Sequence, residues 1–332
     1  MKSMRHLPSA NHHLPTVHTP VLLHEVVEGL ALRKGMTVVD CTVNAAGHTV
    51  AIAEELGLTG TIVGIDADPQ AISRARERVG PLPCKVHLSN GNFRDLASIL
   101  DSLGIKTVNA VLFDLGLSSD QLESSGRGFS FQGDEPLSMN FSGGFDDSKR
   151  EGGLSDVHSS ADSPQTLTAR DIVNEWSEES LADVIWGYGG ERYARRIAKA
   201  IVEARALSII ERTSTLVTIV ESAVPASYRR ARLHPATKTF QALRVAVNDE
   251  LGALRTALPQ AWEMLEPGGR LAVVSFHELE DRIVKFFFKD KKLTGEGAPL
   301  TKKPIVPGSR EVAENPRARS AKLRIIIKSV MP

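Results

Sequence analysis

The sequence predicts an α/β protein with a doubly wound, mostly parallel sheet that is interrupted by a helical insert. Short apolar runs of strand length alternate with helical patterns up to residue 114, and this alternation resumes after Pro235. Several runs end in a carboxylate, and ligands bind at the carboxyl ends of strands in such sheets. The intervening residues carry amphipathic helical patterns instead, which predicts a separate helical unit.

The first part of the chain shows a regular order of elements. A helix is expected from His18 to Leu32, because its apolar residues recur at helical spacing. The predicted strands are 37–40, 61–66, 85–88 and 110–114, and the helices between the first three are 47–56 and 69–79. The second of these helices starts with Pro69, where the missing N–H of proline costs nothing.

The remaining elements divide between the helical insert and the end of the sheet. Helices are predicted over 169–175, 178–186, 192–203 and 214–222, followed by a long helix over 239–265. A turn at 267–269 then leads to a strand over 270–275, a helix over 279–288 and a last strand over 321–330. We therefore expect a flexible leader (1–17), an α/β domain (18–116 and 235–332) and a helical domain (117–234) with a mobile, Ser/Gly/Asp-rich loop at 142–165.

Charge and composition limit the classes of protein. No apolar run has the roughly 18 residues that a membrane span needs, and the N-terminus lacks the apolar region of a secretory signal. Cys41 and Cys84 form no CxxC pair and lie in apolar contexts, which indicates buried, reduced thiols of a cytoplasmic protein. The net charge is zero, but acidic residues dominate 1–190 and basic residues dominate 191–332. This asymmetry indicates a polyanionic partner, or two solvated faces that neutralise each other.

Three predicted strands end in an aspartate: Asp40, Asp66 and Asp114. An acid at the end of the second strand is typical of sites that accept hydrogen bonds from a ribose diol. The loop after the first strand has a single glycine where a pyrophosphate fingerprint needs three, which argues against NAD or FAD. A smaller adenosyl ligand remains compatible, and capping of the strand ends is the alternative.

Other polar groups follow the predicted strands. Phe93 is placed either to stack on an adenine or to pack in the core. His277 and Asp281 have helical i,i+4 spacing, but no third ligand has suitable spacing, so no metal site is expected. No GxSxG elbow is present, which argues against a serine hydrolase. The cations of residues 315–324 suit either phosphate contacts or a solvated edge.

These segments together resemble the RsmH (MraW) family of S-adenosylmethionine-dependent ribosomal RNA methyltransferases. The resemblance covers nearly the whole chain after residue 17. It rests on the ordered motifs HTPVLLHEVVEGL, GIDADPQAI, GNF, DLGLSSDQL, RGFSF, YGGERYARRIAKAIV, HPATKTFQALRVAVNDEL, LEPGGRLAVVSFHELEDRIVK and ENPRARSAKLR.

The resemblance implies a class I methyltransferase (Rossmann-like) sheet with an inserted helical domain. It also implies methylation of the exocyclic N4 of a cytidine in the decoding region of 16S ribosomal RNA, in the small ribosomal subunit. Contacts to S-adenosylmethionine are expected from Ala46, Gly47, His48, Asp66, Phe93, Asp114 and Gln121. Asp114, with Ser118 or Ser119, is expected near the acceptor amine, and His277 is a further candidate for orienting the base.

The first loop departs from the family pattern GxGGH, because it reads Asn44-Ala45-Ala46-Gly47-His48. This departure motivates an alternative: a non-catalytic ribosome-assembly factor that keeps the methyltransferase fold. A third hypothesis is an amino-methyltransferase that acts on DNA or protein. The sequence leaves the oligomeric state open, a dimer included.

Overall fold

The structure, a computed structural model, describes residues 20–80, 82–123, 125–143 and 167–330. The expected leader at 1–17 lies outside the described residues, as do residues 144–165 of the expected mobile loop. No helix within these described ranges is both long enough and apolar enough to cross a membrane. Cys41 and Cys84 are free and buried, which confirms that part of the prediction.

A seven-stranded sheet forms the centre of the described chain, and it confirms the predicted α/β class. The strands are β1 (Thr37–Asp40), β2 (Thr61–Asp66), β3 (Lys85–Asn90), β4 (Val108–Asp114), β5 (Leu265–Ser275), β6 (Gly297–Pro299) and β7 (Lys322–Lys328). Their order is β3-β2-β1-β4-β5-β7-β6. Strands β1 to β5 are parallel to one another, and β7 is antiparallel to both β5 and β6.

The strands β2 and β3 are added on one side of β1, whereas β4 and the strands after it are added on the other side. Asp40 pairs with Gly64 on one side and with Leu112 on the other, so the strands β2, β1 and β4 end side by side. A crevice opens at such a reversal of strand order because the following loops leave in opposite directions. The sheet therefore brings the three predicted acidic strand ends to one edge.

Helices cover both faces of the sheet and build the insert. They are α1 (Leu23–Leu30), α2 (Gly47–Leu56), α3 (Pro69–Val79), α4 (Leu96–Ser102), α5 (Ser119–Glu123), α6 (Ala169–Glu175), α7 (Glu178–Gly189), α8 (Ala194–Arg205), α9 (Thr213–Ala223), α10 (Ala226–Arg229), α11 (Thr237–Asn248), α12 (Glu250–Met264), α13 (Glu278–Leu293) and α14 (Ser309–Glu314). The bounds of α2, α3 and α6 agree with the prediction. Helices α4, α5, α10 and α14 were not predicted.

The prediction of one long helix over 239–265 is wrong. Asp249 has a left-handed backbone with φ 45° and ψ 44°, and it separates α11 from α12. Arg244 and Glu250 face each other across this break and form a two-point ion pair, with N–O distances of 2.7 and 2.9 Å. The predicted turn at 267–269 lies within β5, where the pairing with β4 shifts register between Val108 and Ala110.

The helical insert has a hydrophobic core distinct from those on the two faces of the sheet. Leu137, Ile172, Ile185 and Ile197 are fully buried in it. Helix α11 also contributes to this core through Phe240, Leu243 and Val247. Because α11 continues directly into α12, which packs on the sheet, one short connection joins the two cores.

Candidate functional site

A cleft with about 640 Å³ of empty space opens at the carboxyl ends of β1, β2 and β4. Its described lining contains three carboxylates and no lysine or arginine, so it suits a cationic ligand better than a phosphate. The lining residues are Cys41, Thr42, Asn44, Asp66, Ala67, Asn92, Phe93, Leu115, Gly116, Gln121, Phe141, Asn248, Glu250, Ala253, Leu254 and Glu280.

Asp66 ends β2 and lines this cleft. Backbone amides hold both of its oxygens: Asn44 donates to Oδ2 at 2.8 Å and Asp68 donates to Oδ1 at 2.8 Å. Burial raises the pKa of Asp66 to about 6, although these amides oppose the shift. The carboxylate is thus fixed in orientation, with lone pairs left to accept further hydrogen bonds.

Asp40 is the most enclosed of the three strand-end acids. Its side chain is fully buried and accepts hydrogen bonds from the Thr49 hydroxyl at 2.7 Å and from the Thr42 amide at 3.2 Å. Burial raises the pKa of Asp40 to about 6. Asp40 does not line the cleft, and these contacts give it a structural role at the end of β1.

Asp114 ends β4 and is held at its backbone and at one carboxylate oxygen. Its amide donates to the Thr42 hydroxyl at 2.6 Å, and its Oδ2 lies 3.3 Å from Nδ1 of His48. The other ring nitrogen of His48 lies 3.2 Å from the Val21 carbonyl. The remaining oxygen of Asp114, Oδ1, is buried and has no hydrogen-bond partner among the described residues. A buried acceptor without a donor is costly, so this oxygen is a candidate for binding a ligand N–H.

The electrostatics of His48 follow from this contact. Burial disfavours the charged ring, but the Asp114 carboxylate, together with Asp40 and the Val21 carbonyl, outweighs it and raises the pKa of His48 above its usual value. Neither His48 nor Asp114 is among the residues that line the cleft.

The first loop places its other predicted cofactor residues behind the cleft wall. Ala46 is fully buried and has a left-handed backbone, with φ 60°. Gly47 packs against Pro20, because a Cβ on Gly47 would lie 2.2 Å from Cγ of that proline. Asn44, with φ 50°, lines the cleft in their place.

Phe93 follows β3 and lies between the core of the sheet and the cleft. Its ring contacts Phe113 edge to face, with centroids 5.4 Å apart and an interplanar angle of 88°. The same residue lines the cleft. Phe93 is therefore anchored against the core of the sheet and is also placed beside the ligand space.

Gln121 links the cleft to a buried acid that sequence reasoning missed. Its Nε2 donates to Oδ2 of Asp68 at 3.0 Å, and its Oε1 accepts from the Ser118 amide at 3.0 Å. The Ser118 hydroxyl in turn accepts from the Gln121 amide at 3.2 Å, so it orders the start of α5. The side chain of Ser119 lies outside the described part of the structure.

Arg127 is a second residue without an assigned role in the sequence analysis. Its guanidinium donates to Oδ2 of the fully buried Asp68 at 2.5 Å and to the carbonyls of Asn140 and Phe141 at 3.3 and 2.9 Å. Phe141 lines the cleft and stacks on Phe129. Arg127 therefore connects the loop after β2 with the part of the insert that closes one side of the cleft. The motif RGFSF contains this arginine, but nothing local in it indicates the distant partner.

His277 caps α13 and is held by Glu280. Oε2 of Glu280 accepts from the amides of Phe276 and His277 at 2.8 and 3.2 Å, and its Oε1 lies 3.0 Å from His277 Nε2. Burial disfavours the Glu280 carboxylate, yet the hydrogen bond with His277 leads the groups that keep its pKa below the usual value. His277 is thus close to the cleft through Glu280, which lines it.

Potential metal ligands occur at this corner of the cleft. One ligand atom each from Glu250, His277 and Glu280 lies within 4.8 Å of the others. Glu250 is already neutralised by its two-point ion pair with Arg244, and that cation disfavours a metal ion at the same place. The other acid considered above, Asp281, instead binds Arg324 on β7 at 2.7 Å.

Comparisons with known proteins agree with this architecture. The model of the family described as "MraW methylase family" matches residues 15–148 and 158–329. A protein of Deinococcus radiodurans named ribosomal RNA small subunit methyltransferase H is 45% identical, covering 95% of this chain and 91% of the relative. A protein of the same name from Symbiobacterium thermophilum is 44% identical, covering 94% and 96%.

A third relative of that name, from Brevibacillus brevis, is 41% identical, covering 94% of this chain and 98% of the relative. Among solved structures, an rRNA methylase from Clostridium thermocellum aligns with a TM-score of 0.44 at 14% identity, covering 94% and 99%. The match of the family model and the identity to these relatives extend over almost the whole length of the protein, across the sheet and the insert alike. The chain therefore belongs to the MraW methylase family.

Proposed function

We propose that this protein transfers a methyl group from S-adenosylmethionine to N4 of a cytidine in the decoding region of 16S ribosomal RNA, acting on the small ribosomal subunit in the cytoplasm. Its family membership and the names of its relatives support methylation of small-subunit ribosomal RNA. The contacts of Asp114 carry the proposal for the acceptor. The acidic cleft supports the choice of cofactor.

The cleft suits S-adenosylmethionine in charge and in shape. The sulfonium and ammonium groups of this cofactor are cationic, and Asp66, Glu250 and Glu280 supply the carboxylates of the lining. Asp66 would accept hydrogen bonds from the ribose hydroxyls, because backbone amides already fix its orientation. Phe93 would pack against the adenine, and Gln121 would contact the methionine part. When bound, the cofactor supplies an electrophilic methyl group.

Asp114 would orient the attacking amine. The exocyclic nitrogen of cytosine is a poor nucleophile, because its lone pair is delocalised into the ring. It gains positive charge as it bonds to the methyl carbon, and a fixed carboxylate stabilises that charge. The single observation that carries this role is the buried, unpartnered Oδ1 of Asp114, whose other oxygen is held by His48.

The other predicted catalytic residues would act around this acid. Ser118 would hold Gln121 and the start of α5, and Ser119 is the first residue of that helix. His277 would orient the base from the α13 side of the cleft, where Glu280 fixes its ring. We also propose that the helical insert recognises the RNA and that the target cytidine is unstacked from its neighbours to reach the cleft.

Transfer of a radiolabelled methyl group to unmethylated small subunits tests the proposal, with mapping of the modified base. Label is expected at N4 of one cytidine in the decoding region. Asp114→Ala should abolish incorporation while leaving the fold intact, whereas Asp101→Ala, which removes an exposed carboxylate on α4, should have no effect. Label in DNA or protein but not in subunits would contradict the proposal. Absence of cofactor binding at millimolar concentration in calorimetry would favour a non-catalytic assembly factor.

A further inference from the structure

Helices α7 and α8 of the insert enclose a second cleft, which the methyl-transfer chemistry does not use. Its described lining includes the aromatic residue Trp186 and the cations Arg192, Arg195 and Arg196, with Asp183 as the acidic member. We call it the Trp186 cleft. It is separate from the cofactor cleft, with which it shares no lining residue.

Trp186 is exposed although its helix has a well-packed inner face. Leu181 and Ile185 of the same helix are fully buried, whereas 61% of the Trp186 surface is accessible. Exposure of a large aromatic ring to water costs free energy, which is recovered when a partner covers the ring. The ring is therefore available for stacking.

Arg192 is held in place beside this ring. Its guanidinium lies over the rings of Tyr193 and Tyr228, 4.9 and 4.8 Å from their centroids. The Tyr228 hydroxyl donates to the buried Glu191 at 2.6 Å, which fixes the second ring. Arg192 is thus ordered before any ligand arrives, so less conformational entropy is lost on binding.

The arginines of this surface carry unbalanced charge. None of them lies within ion-pair distance of a carboxylate in the described part of the chain, and all are exposed. The set extends past Tyr228 along the chain and comprises Arg192, Arg195, Arg196, Arg229 and Arg230. Surfaces of this kind attract anionic partners over long distances.

We propose that the Trp186 cleft binds single-stranded RNA of the substrate, with one base stacked on Trp186 and the flanking phosphates on the arginines. The inference rests on the proposed function for the identity of the RNA. Exposed aromatic rings within a cationic groove are the elements that hold single-stranded nucleic acids without base-specific hydrogen bonds. Three arginines against one aspartate in the described lining favour a polyanionic RNA over a protein partner.

Binding of a fluorescein-labelled oligouridylate tests the stacking site directly. Trp186→Ala should weaken its affinity roughly 5- to 150-fold, the range for loss of one stacked base. Trp186→Phe keeps an aromatic ring and should retain most of the affinity. Leu58→Ala is the matched control, because it removes another exposed apolar side chain (84% accessible) from the α/β unit. Circular dichroism checks that each variant is folded.

The salt dependence of oligouridylate binding tests whether the arginines contact phosphates. The double variant Arg195→Gln/Arg196→Gln should reduce the slope of log K against log salt by about 0.7 for each lost phosphate contact. Arg33→Gln is the control, since Arg33 is exposed but lies before β1, at the opposite edge of the sheet. An unchanged slope in the double variant would contradict the assignment.

Methyl-transfer kinetics separate this inference from the proposed function. Trp186→Ala should raise KM for unmethylated small subunits and leave kcat and cofactor affinity unchanged. The inference is overturned if the variant keeps wild-type affinity for oligouridylate, or if it instead loses binding to isolated ribosomal proteins. Trp186-dependent binding of oligouridylate without methyl transfer by the wild type would support the inference while contradicting the proposed function.

Discussion

Replacement of Arg127 tests whether the link between the insert and the cofactor loop stabilises the protein. Arg127→Gln leaves the carboxylate of Asp68, which is fully buried, without its cation. Breaking a buried ion pair in this way typically costs about 3–5 kcal/mol, because the remaining charge is desolvated and uncompensated. The guanidinium also donates to two carbonyls of the insert, so their loss belongs to the same cost. The variant should unfold at clearly lower denaturant concentration.

Two further variants test whether the loss of unfolding free energy in Arg127→Gln comes from the ion pair with Asp68. Arg127→Lys keeps the positive charge but loses the planar fork, so a smaller loss of about 1–2 kcal/mol is expected. In the double variant with Asp68→Asn no buried charge remains, and part of the stability should return. The coupling energy from this double-mutant cycle should exceed about 1 kcal/mol.

Urea denaturation followed by circular dichroism measures these free energies. Additivity of the two single variants would refute the reasoning, because it would mean that Arg127 and Asp68 do not act through each other. Cofactor affinity gives a second measurement. Arg127 holds the carbonyl of Phe141, a residue of the cleft wall, so Arg127→Gln should weaken binding of S-adenosylmethionine even where the protein remains folded.

Three further outcomes are expected. Asp114→Asn should lower kcat by about 100- to 1000-fold, the cost of one transition-state hydrogen bond, and change cofactor affinity little; a tenfold or larger loss of affinity in calorimetry would place Asp114 in the cofactor site instead. Cofactor affinity should fall as pH is lowered from 7 to 5, because the pKa of Asp66 is about 6 and protonation removes the charge that binds the ribose. Asp66→Asn should bind weakly and without this pH dependence, and an unchanged pH profile would contradict the assignment. Ala46→Gly should change the free energy of unfolding by less than about 1 kcal/mol, because relief of the left-handed backbone offsets the loss of a buried methyl group. A large change in cofactor affinity would show that Ala46 contacts the ligand.

The sign of the Asp66 effect on stability is opposite to its effect on binding. The folded-state pKa of about 6 lies above the ordinary 3.8, so the folded protein holds this proton more tightly than the unfolded chain. Protonated Asp66 makes its full contribution to the free energy of unfolding below pH 3.8, and this contribution is lost as the pH rises through 6. At neutral pH the protein thus keeps a destabilising charge, which is consistent with selection for binding.

The sheet could be predicted from sequence because its determinants are local. Apolar runs that end in an aspartate identify β1, β2 and β4, and Pro69 marks the start of α3. The break at Asp249 could not be found in this way, because the pattern of apolar residues continues across it. Its geometry depends on the packing of α11 against the insert and of α12 against the sheet, which are contacts between distant parts of the chain.

The candidate site also combines residues that could be placed from local sequence with residues that could not. Asp66, Phe93 and Gln121, three of the residues expected to contact the cofactor, line the cleft, whereas Ala46, Gly47, His48 and Asp114 are not among its lining residues. The opposite wall comes from residues after the insert, including Glu250 and Glu280. The partner of Asp68 lies 59 residues away, a distance at which no periodicity or spacing rule applies.

The charge asymmetry of the chain acquires a physical meaning in the structure. The sequence left phosphate contacts and a solvated edge both open for the cations of 315–324, and the structure pairs two of them, Lys322 and Arg324, with the single carboxylate of Asp281. Among the described residues, no carboxylate lies within ion-pair distance of Arg195 or Arg196 on α8. The carboxylates, by contrast, gather around the cleft that would hold a cationic cofactor. The arginines of α8 therefore keep charge available to an anionic partner, so substitution of Arg195 or Arg196 should reduce RNA affinity more than substitution of Lys322 or Arg324.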